Sequence, residues 1–511
     1  GKLTGQPGIC LVTRGPGATN ASIGVHTAMQ NSTPMILFVG QIGRDMRERE
    51  AFQEIDYRAM FGTLAKWVVE IDSARRVPEV LARAWATALS GRPGPVVVAL
   101  PEDMLVEEAA VAPLARVPHV APAAADPVAA EATAAALIEA ERPLILIGGG
   151  GWDGPPGTGR DALAALTLAA EGAGLPIGVT FRCHDLIDHA SPAYVGDAGV
   201  GMPGHMRRMI AEADVILALN IRFGENSTAG WTLLDVPEPR QRLIHVHASD
   251  RELGKVYQGE TMLQAGPAAF AAALAGALAG AIGRAGGAGP AGRRAWAAAG
   301  RAALEAGFTL PAQPEGLDMG AVMAALRARL APDAIITNGA GNFAIWPTRL
   351  IAYGPAMRLI APQSGAMGYG LPAAIAARLR HPGRQVICFA GDGDVQMTMA
   401  ELGTAMQTDA RPVVLVLNNG SYGTIRMHQE RHYPGRVSAT RIDNPDYVAI
   451  GGAYGMHAER VVETAGIEGA LDRALASPTG ALVELVQPVE ALTPRETLSE
   501  MRARALAASG D

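Results

Sequence analysis

The chain has 511 residues, 49% hydrophobic and 18% charged, enough for two to four domains with sizeable cores. A net charge of −7 without a basic tract argues against nucleic-acid binding. With no bilayer-length apolar run and no signal peptide, a cytoplasmic protein is expected. The three cysteines (Cys10, Cys183 and Cys388) lie far apart among apolar residues, so they read as buried reduced thiols rather than disulfides or metal ligands.

In chain order, residues 1–6 read as the end of a helix turning into a strand at 9–13. A domain seldom starts so close to a buried strand, so a missing upstream segment is expected over simple loss of an initiator Met. Strands at 35–39, 66–71 and 95–100 complete a first α/β block, residues 1–104. Residues 105–127, rich in Ala, Pro and Val without periodicity, read as a linker. A second block, 128–274, has strands at 143–147, 215–219 and 243–246. Residues 275–315, opening on Ala and Gly with Pro290 among them, read as a second linker. A third block covers 316–490, and 491–511 is expected to be a peripheral helical tail. The fold class is α/β, three consecutive open parallel-sheet domains. Blocks one and three share a strand, a Gly-x-Gly turn and a helix, a faint echo of duplication.

The third block carries the most chemistry. An apolar run at 386–390 leads into Gly391-Asp392-Gly393-Asp394, and a second at 413–417 into Asn418-Asn419-Gly420. Between them, Met399, Leu402 and Met406 have the spacing of a helix's buried stripe. In such a βαβ unit both loops open at the carboxyl ends of adjacent strands, so Asp392 and Asn419 share one crevice. A carboxylate and an amide oxygen are hard ligands that suit Mg²⁺, which keeps phosphate oxygens as further ligands. The glycines let main-chain N–H groups approach an anion. A lone Gly-Asp-Gly is as often an ordinary turn; triplet, spacing and Asn-Asn pair together are far more specific.

This combination resembles the metal-binding motif of thiamine diphosphate enzymes, and the chain is most similar among these to the acetolactate synthase-like family. The resemblance covers all three blocks and implies a pyrimidine-binding, a central and a diphosphate-binding domain. It implies that Asp392, Asn419 and the Ser421 carbonyl bind Mg²⁺, with Gly391, Gly393, Asp394, Tyr422, Gly423 and Thr424 around the diphosphate. Gly339, Gly341, Asn342 and Phe343 resemble a second diphosphate loop, although the family usually has Gln and His where Asn342 and Phe343 stand. Pro16 and Asn20, in a loop that otherwise reads as a turn with a Thr19 or Asn20 helix cap, would contact the pyrimidine. Met367 would prop the bent cofactor, and the Gly365 carbonyl would accept from its 4′-amino group. Gln41, Phe52 and Gln53 would line the substrate channel; Lys66 is a weaker candidate, better read as a surface lysine.

The implied activity is decarboxylation of a 2-oxo acid with carboligation to a second carbonyl, in a homodimer or homotetramer with the site between subunits. A non-ligating decarboxylase and a cofactor-binding paralogue with little turnover are the rivals; an NAD-dependent dehydrogenase is a distant alternative. Two features depart from the pattern. The family's activating Glu would precede residue 1, and His428 replaces the Trp that governs acceptor choice in biosynthetic synthases. FAD is not expected to be required: Gly148 to Gly151 is a weak dinucleotide signal, and Arg222-Phe223 lacks the acidic residues that usually follow.

Overall fold

Continuous apolar runs of five or six residues make the central strands, as expected where helices cover both faces of a parallel sheet. The computed structural model describes residues 1–154, 159–284, 291–311, 313 and 316–509. Two compact units are formed, one by residues 1–186 with 191–301 and the other by 187–190 with 302–511.

The first unit holds two parallel sheets. One has the order β1-β2-β4-β3, from β1 (Gly8–Val12), β2 (Met35–Gln41), β3 (Trp67–Glu70) and β4 (Pro95–Pro101). The other has the order β10-β9-β8-β5-β6-β7. Its strands are β5 (Pro143–Ile147), β6 (Ile177–Thr180), β7 (Tyr194–Ala198), β8 (Val215–Leu219), β9 (Arg242–His247) and β10 (Thr261–Gln264). Arg92, half-buried between them, pairs with Glu252 at 2.9 Å and donates to the Ser32 hydroxyl.

The second unit is built on one parallel sheet of order β12-β11-β13-β14-β16-β15. The strands are β11 (Ile335–Asn338), β12 (Arg358–Ile360), β13 (Val386–Gly391), β14 (Val413–Asn418), β15 (His457–Val461) and β16 (Ala481–Val486). The chain leaves β11 for β12 on one side and returns to β13 on the other. Loops after β11 and β13 therefore flank a topological switch point, where open α/β sheets bind ligands.

Several readings need correction. Much of the second expected linker is helical: the helix Pro267–Arg284 runs into it and Ala291–Ala306 lies within it. Alanine is the strongest helix former, so an Ala-rich run need not be flexible; Pro290 lies outside the described residues. The helix between the metal-motif strands is broken into Asp392–Gln396, a 3-10 turn at Met399–Glu401, and Leu402–Gln407. Of the expected stripe only Leu402 is buried: the helix Leu402–Gln407 turns Leu402 and Ala405 inward and leaves Met406 44% exposed. The tail is helical over Leu498–Ser509 but not peripheral, since Leu498 and Met501 are buried against Met427 and Leu492. All three cysteines are free, with Cys10 only half-buried. Among the described residues no helix is long and apolar enough to cross a membrane.

Candidate active site

Parallel pairing of β13 with β14 sets Gly391 opposite Leu417, so the chain leaves both strands at one level, into Asp392 and Asn419. A pocket opens there, and Gly341, Asn342, Phe343, Met367, Asp392, Asp394, Asn419, Ser421, Tyr422 and Thr424 are among its lining residues, with Gly391, Gly393 and Gly423. Sequence candidates from four separate loops thus meet in one cavity. Gly339 and Gly365 adjoin it in sequence without lining it. His428 is exposed farther along the helix Gly423–His432, stacked on His432 with ring centroids 6.0 Å apart.

The two aspartates do different work. Asp392 is buried, its Oδ1 accepting from the Gly393 amide at 2.9 Å and its Oδ2 from Asn444 Nδ2 at 2.8 Å. Burial pushes its carboxyl above the usual carboxylate range, opposed by Asn444 and by the amides of Gly393, Gly420 and Ser421. Asp394 is buried too, but its Oδ1 accepts from the chain's own amides, Ala340 at 3.0 Å and Gly368 at 2.9 Å. It pins the loop after β11 and the Met367 turn to the loop after β13. A Cβ on Gly339 would lie 2.0 Å from that same oxygen.

Other contacts shape the pocket. The Asn419 side-chain oxygen accepts from the Ser421 amide at 3.0 Å, curling the turn so that Asn419 and Ser421 both line the cavity. Asn342 accepts from the Thr424 hydroxyl at 2.8 Å, joining two walls. The Phe343 ring packs against Gly391, where a Cβ would come within 2.6 Å of it.

The first unit positions the remaining candidates. Pro16 and Asn20 are exposed at the start of the helix Gly15–Asn31. The expected Thr19 or Asn20 cap is not formed: the helix begins at Gly15, and the Thr19 hydroxyl donates back to the carbonyls of Gly15 and Pro16. Gln53, held at φ +68°, accepts from the Gly15 amide through its carbonyl at 3.1 Å, while Phe52 is 78% exposed. Gln41 is buried, donates to the Ile55 carbonyl at 3.0 Å and so tethers this loop. Lys66 is not a surface lysine: its ammonium donates to the carbonyls of Thr87 and Ser90 at the end of the helix Val77–Leu89, and burial pushes its pKa down to about 8. In the second sheet of this unit, Asn220 donates to the carbonyls of Gly149 and Gly150, and Arg222 donates to Gln30.

Sequence reasoning missed Asn444 and Tyr447. Asn444-Pro445-Asp446 reads as a turn with a helix cap, and Asp446 does cap the helix Tyr447–Ala453. Nothing in that pattern reveals that Asn444 also reaches Asp392.

A glycine-walled cavity at a switch point, with a buried carboxylate at its floor, defines an α/β enzyme of the diphosphate-binding class. Comparisons with known families agree. Residues 1–60 match the thiamine pyrophosphate enzyme N-terminal TPP binding domain, 130–274 the central domain, and 339–485 the C-terminal TPP binding domain. Over 494 residues the chain is 31% identical to the acetolactate synthase large subunit of Parasynechococcus marenigrum, covering 95% of this chain and 77% of that one. It is 27% identical to the acetolactate synthase isozyme 2 large subunit of Escherichia coli, covering 93% and 83%. It is also 27% identical to a probable acetolactate synthase large subunit of Methanocaldococcus jannaschii, covering 96% and 83%. The chain belongs to the acetolactate synthase-like family of thiamine diphosphate-dependent enzymes.

Proposed function

We propose that the protein is a thiamine diphosphate- and Mg²⁺-dependent enzyme that decarboxylates a 2-oxo acid and joins the remaining fragment to a second carbonyl compound. The observation that carries this is the convergence of Asp392, Asn419 and Ser421 at the ends of two adjacent strands, inside a glycine-walled pocket. The fit is chemical. Among the described residues no cluster of three His, Cys, Asp or Glu side chains could hold a metal. One carboxylate, one amide oxygen and one main-chain carbonyl form instead a sparse hard-oxygen set that leaves room for phosphate oxygens, as Mg²⁺ prefers.

Asp392, Asn419 and the Ser421 carbonyl would hold the cation. Gly341, Asn342, Phe343, Gly391, Gly393, Tyr422, Gly423 and Thr424 would enclose the diphosphate, with Gly339 and Asp394 setting the loop that faces it. Met367 would support the thiazolium side, and the Gly365 carbonyl would accept a proton donor of the pyrimidine. Pro16 and Asn20 would meet the pyrimidine, and Gln41, Phe52 and Gln53 would shape the substrate path. When bound, the cofactor supplies an electron sink for the pair left by decarboxylation.

Each unit carries part of this machinery, so the enzyme is proposed to act as a homodimer or a higher homo-oligomer, without a requirement for FAD. A second reading is release of the fragment as an aldehyde, since by the resemblance His428 stands in place of the Trp that governs acceptor choice in biosynthetic synthases. Product analysis separates the two. Pyruvate alone, then pyruvate with added aldehydes or 2-oxo acids, should give an acyloin or acetohydroxy acid; aldehyde as the sole product would establish the second reading.

A further inference from the structure

Asn444 stands at the crossing of a polar chain whose direction is fixed at both ends. At one end, Glu484 is buried and its Oε2 accepts from Arg460 Nε at 2.6 Å. Its Oε1 accepts from Asn418 Nδ2 at 2.7 Å. A carboxylate only accepts, so the Asn418 amide nitrogen must face Glu484 and its oxygen must face away. That oxygen accepts from the Gly420 amide at 3.0 Å and from Asn444 Nδ2 at 2.8 Å. At the other end, Asp392 Oδ2 accepts from the same Asn444 nitrogen at 2.8 Å. Both amide hydrogens of Asn444 are therefore used, one toward each half of the Asp392/Asn419 motif. Its oxygen is occupied as well, accepting from Gln396 Nε2 at 2.9 Å with the Tyr447 hydroxyl 3.1 Å away. Tyr447, fully buried, lies 3.0 Å from the Asp392 main-chain carbonyl.

We infer that Asn444 is a positioning residue for the metal site, fixing the Asp392 carboxylate relative to the Asn418-Asn419 turn; this rests on the proposed Mg²⁺ reading. Only a primary amide offers two hydrogens and an acceptor from one short side chain. Aspartate lacks the donors, serine and threonine supply a single hydrogen, and glutamine is a methylene too long. Without Asn444, Asp392 Oδ2 loses the one side-chain donor it has among the described residues, and only main-chain amides are left to hold the carboxylate. A cation would then have to order a ligand that is at present ordered by the protein. Partners that orient a metal ligand are typically worth about 10- to 100-fold in metal affinity.

The test reads cofactor retention rather than turnover. Full-length wild-type protein, Asn444→Ala and Arg460→Met are loaded with thiamine diphosphate over a Mg²⁺ series, desalted, and assayed for bound cofactor, with melting temperatures recorded in parallel. Arg460→Met disturbs the far end of the same chain, leaving buried Glu484 without its guanidinium, and does not touch Asp392. Asn444→Ala should raise the half-saturating Mg²⁺ concentration about 10- to 100-fold. Arg460→Met should lower the melting temperature and leave that concentration near the wild-type value. Should Asn444→Ala melt below the assay temperature, Asn444→Ser replaces it with the same expected direction. An unchanged Mg²⁺ requirement in the Asn444 variant overturns the inference, as does an equal shift in Arg460→Met, which would mean general loosening. Wild-type protein that retains no cofactor, or retains it without Mg²⁺, overturns the metal reading itself and the inference with it.

Discussion

A single methyl group on Gly339 should disable the floor of the pocket, and the geometry allows its cost to be worked out. The added Cβ would stand 2.0 Å from Asp394 Oδ1 and 2.3 Å from Oδ2, far inside any contact distance. Asp394 cannot swing aside without leaving the amides of Ala340 and Gly368, at 3.0 and 2.9 Å. Hydrogen bonds to a charged group are worth about 1.5–3 kcal/mol each, so Gly339→Ala should cost about 3–6 kcal/mol. Asp394→Ala should cost about 2–6 kcal/mol, because two amides lose their acceptor. In the double variant the clash has no object, and its stability should match Asp394→Ala alone. The double-mutant cycle should therefore return a coupling as large as the Gly339→Ala loss itself, about 3–6 kcal/mol, at or above the upper end for residues in contact. Urea denaturation of the whole chain gives the four free energies, and hydrogen–deuterium exchange over residues 339–343 and 366–370 localises the loosening. Single-variant losses that add within about 0.5 kcal/mol would refute the reasoning, since additivity marks independent sites.

Three further outcomes are expected. Asp392→Ala should abolish retention of thiamine diphosphate, measured by equilibrium dialysis with Mg²⁺, and an unchanged affinity would remove the basis for the metal site. Glu430 is wholly buried and accepts from Arg502 at 2.7 and 2.6 Å and from the Gly435 amide at 2.9 Å, which holds its carboxyl down to about 2. Its contribution is therefore complete above the ordinary carboxylate pKa and is lost as pH falls from about 4.3 toward 2. Glu430→Gln should free the C-terminal helix Leu498–Ser509 at neutral pH, seen as faster proteolysis there, and equal cleavage rates would count against the pairing. Lys66, with its pKa depressed to about 8, binds its proton less tightly in the folded chain, so stability should rise between pH 8 and about 10.4 as the unfolded chain alone stays protonated. Lys66→Met should flatten that rise in a pH series of melting temperatures; an identical slope in both proteins would contradict the assignment.

What the sequence made legible follows from which forces act locally. The central strands could be read because a parallel sheet covered on both faces demands uninterrupted apolar runs, as in Pro143–Ile147 and Val386–Gly391, both fully buried. Glycine loops could be read because a tight turn and close backbone packing at the end of a strand call for a residue without a side chain. Helical phase was less legible. The continuous helix Leu402–Gln407 buries Leu402 and Ala405 and leaves Met406 exposed, a choice of face made by packing that spacing alone does not contain. The alanine-rich stretch after Pro267 failed for a different reason: the same composition suits a flexible linker or a strong helix, and packing decides. Asn444 was invisible because its partners lie far away in sequence, and an Asn-Pro pair is already accounted for as a turn.

The neighbouring aspartates show why a motif residue need not touch a ligand. Both stand in the first turn of the helix Asp392–Gln396, where the helix dipole favours negative charge. Asp394 uses Oδ1 on two amides of its own chain, and that bond fixes the loops after β11 and β12 to the loop after β13. Among the described residues Asp392 is met by neutral donors: the side chain of Asn444 and the amides of Gly393, Gly420 and Ser421. Neutral donors orient a carboxylate without cancelling its charge, and burial raises its pKa despite them. A buried carboxylate so placed, among the residues that line the pocket, would repel a bound diphosphate unless a cation lay between them. The proposed Mg²⁺ reading therefore puts the cation on Asp392, whereas Asp394, one glycine farther on, uses its Oδ1 to tie main-chain loops together.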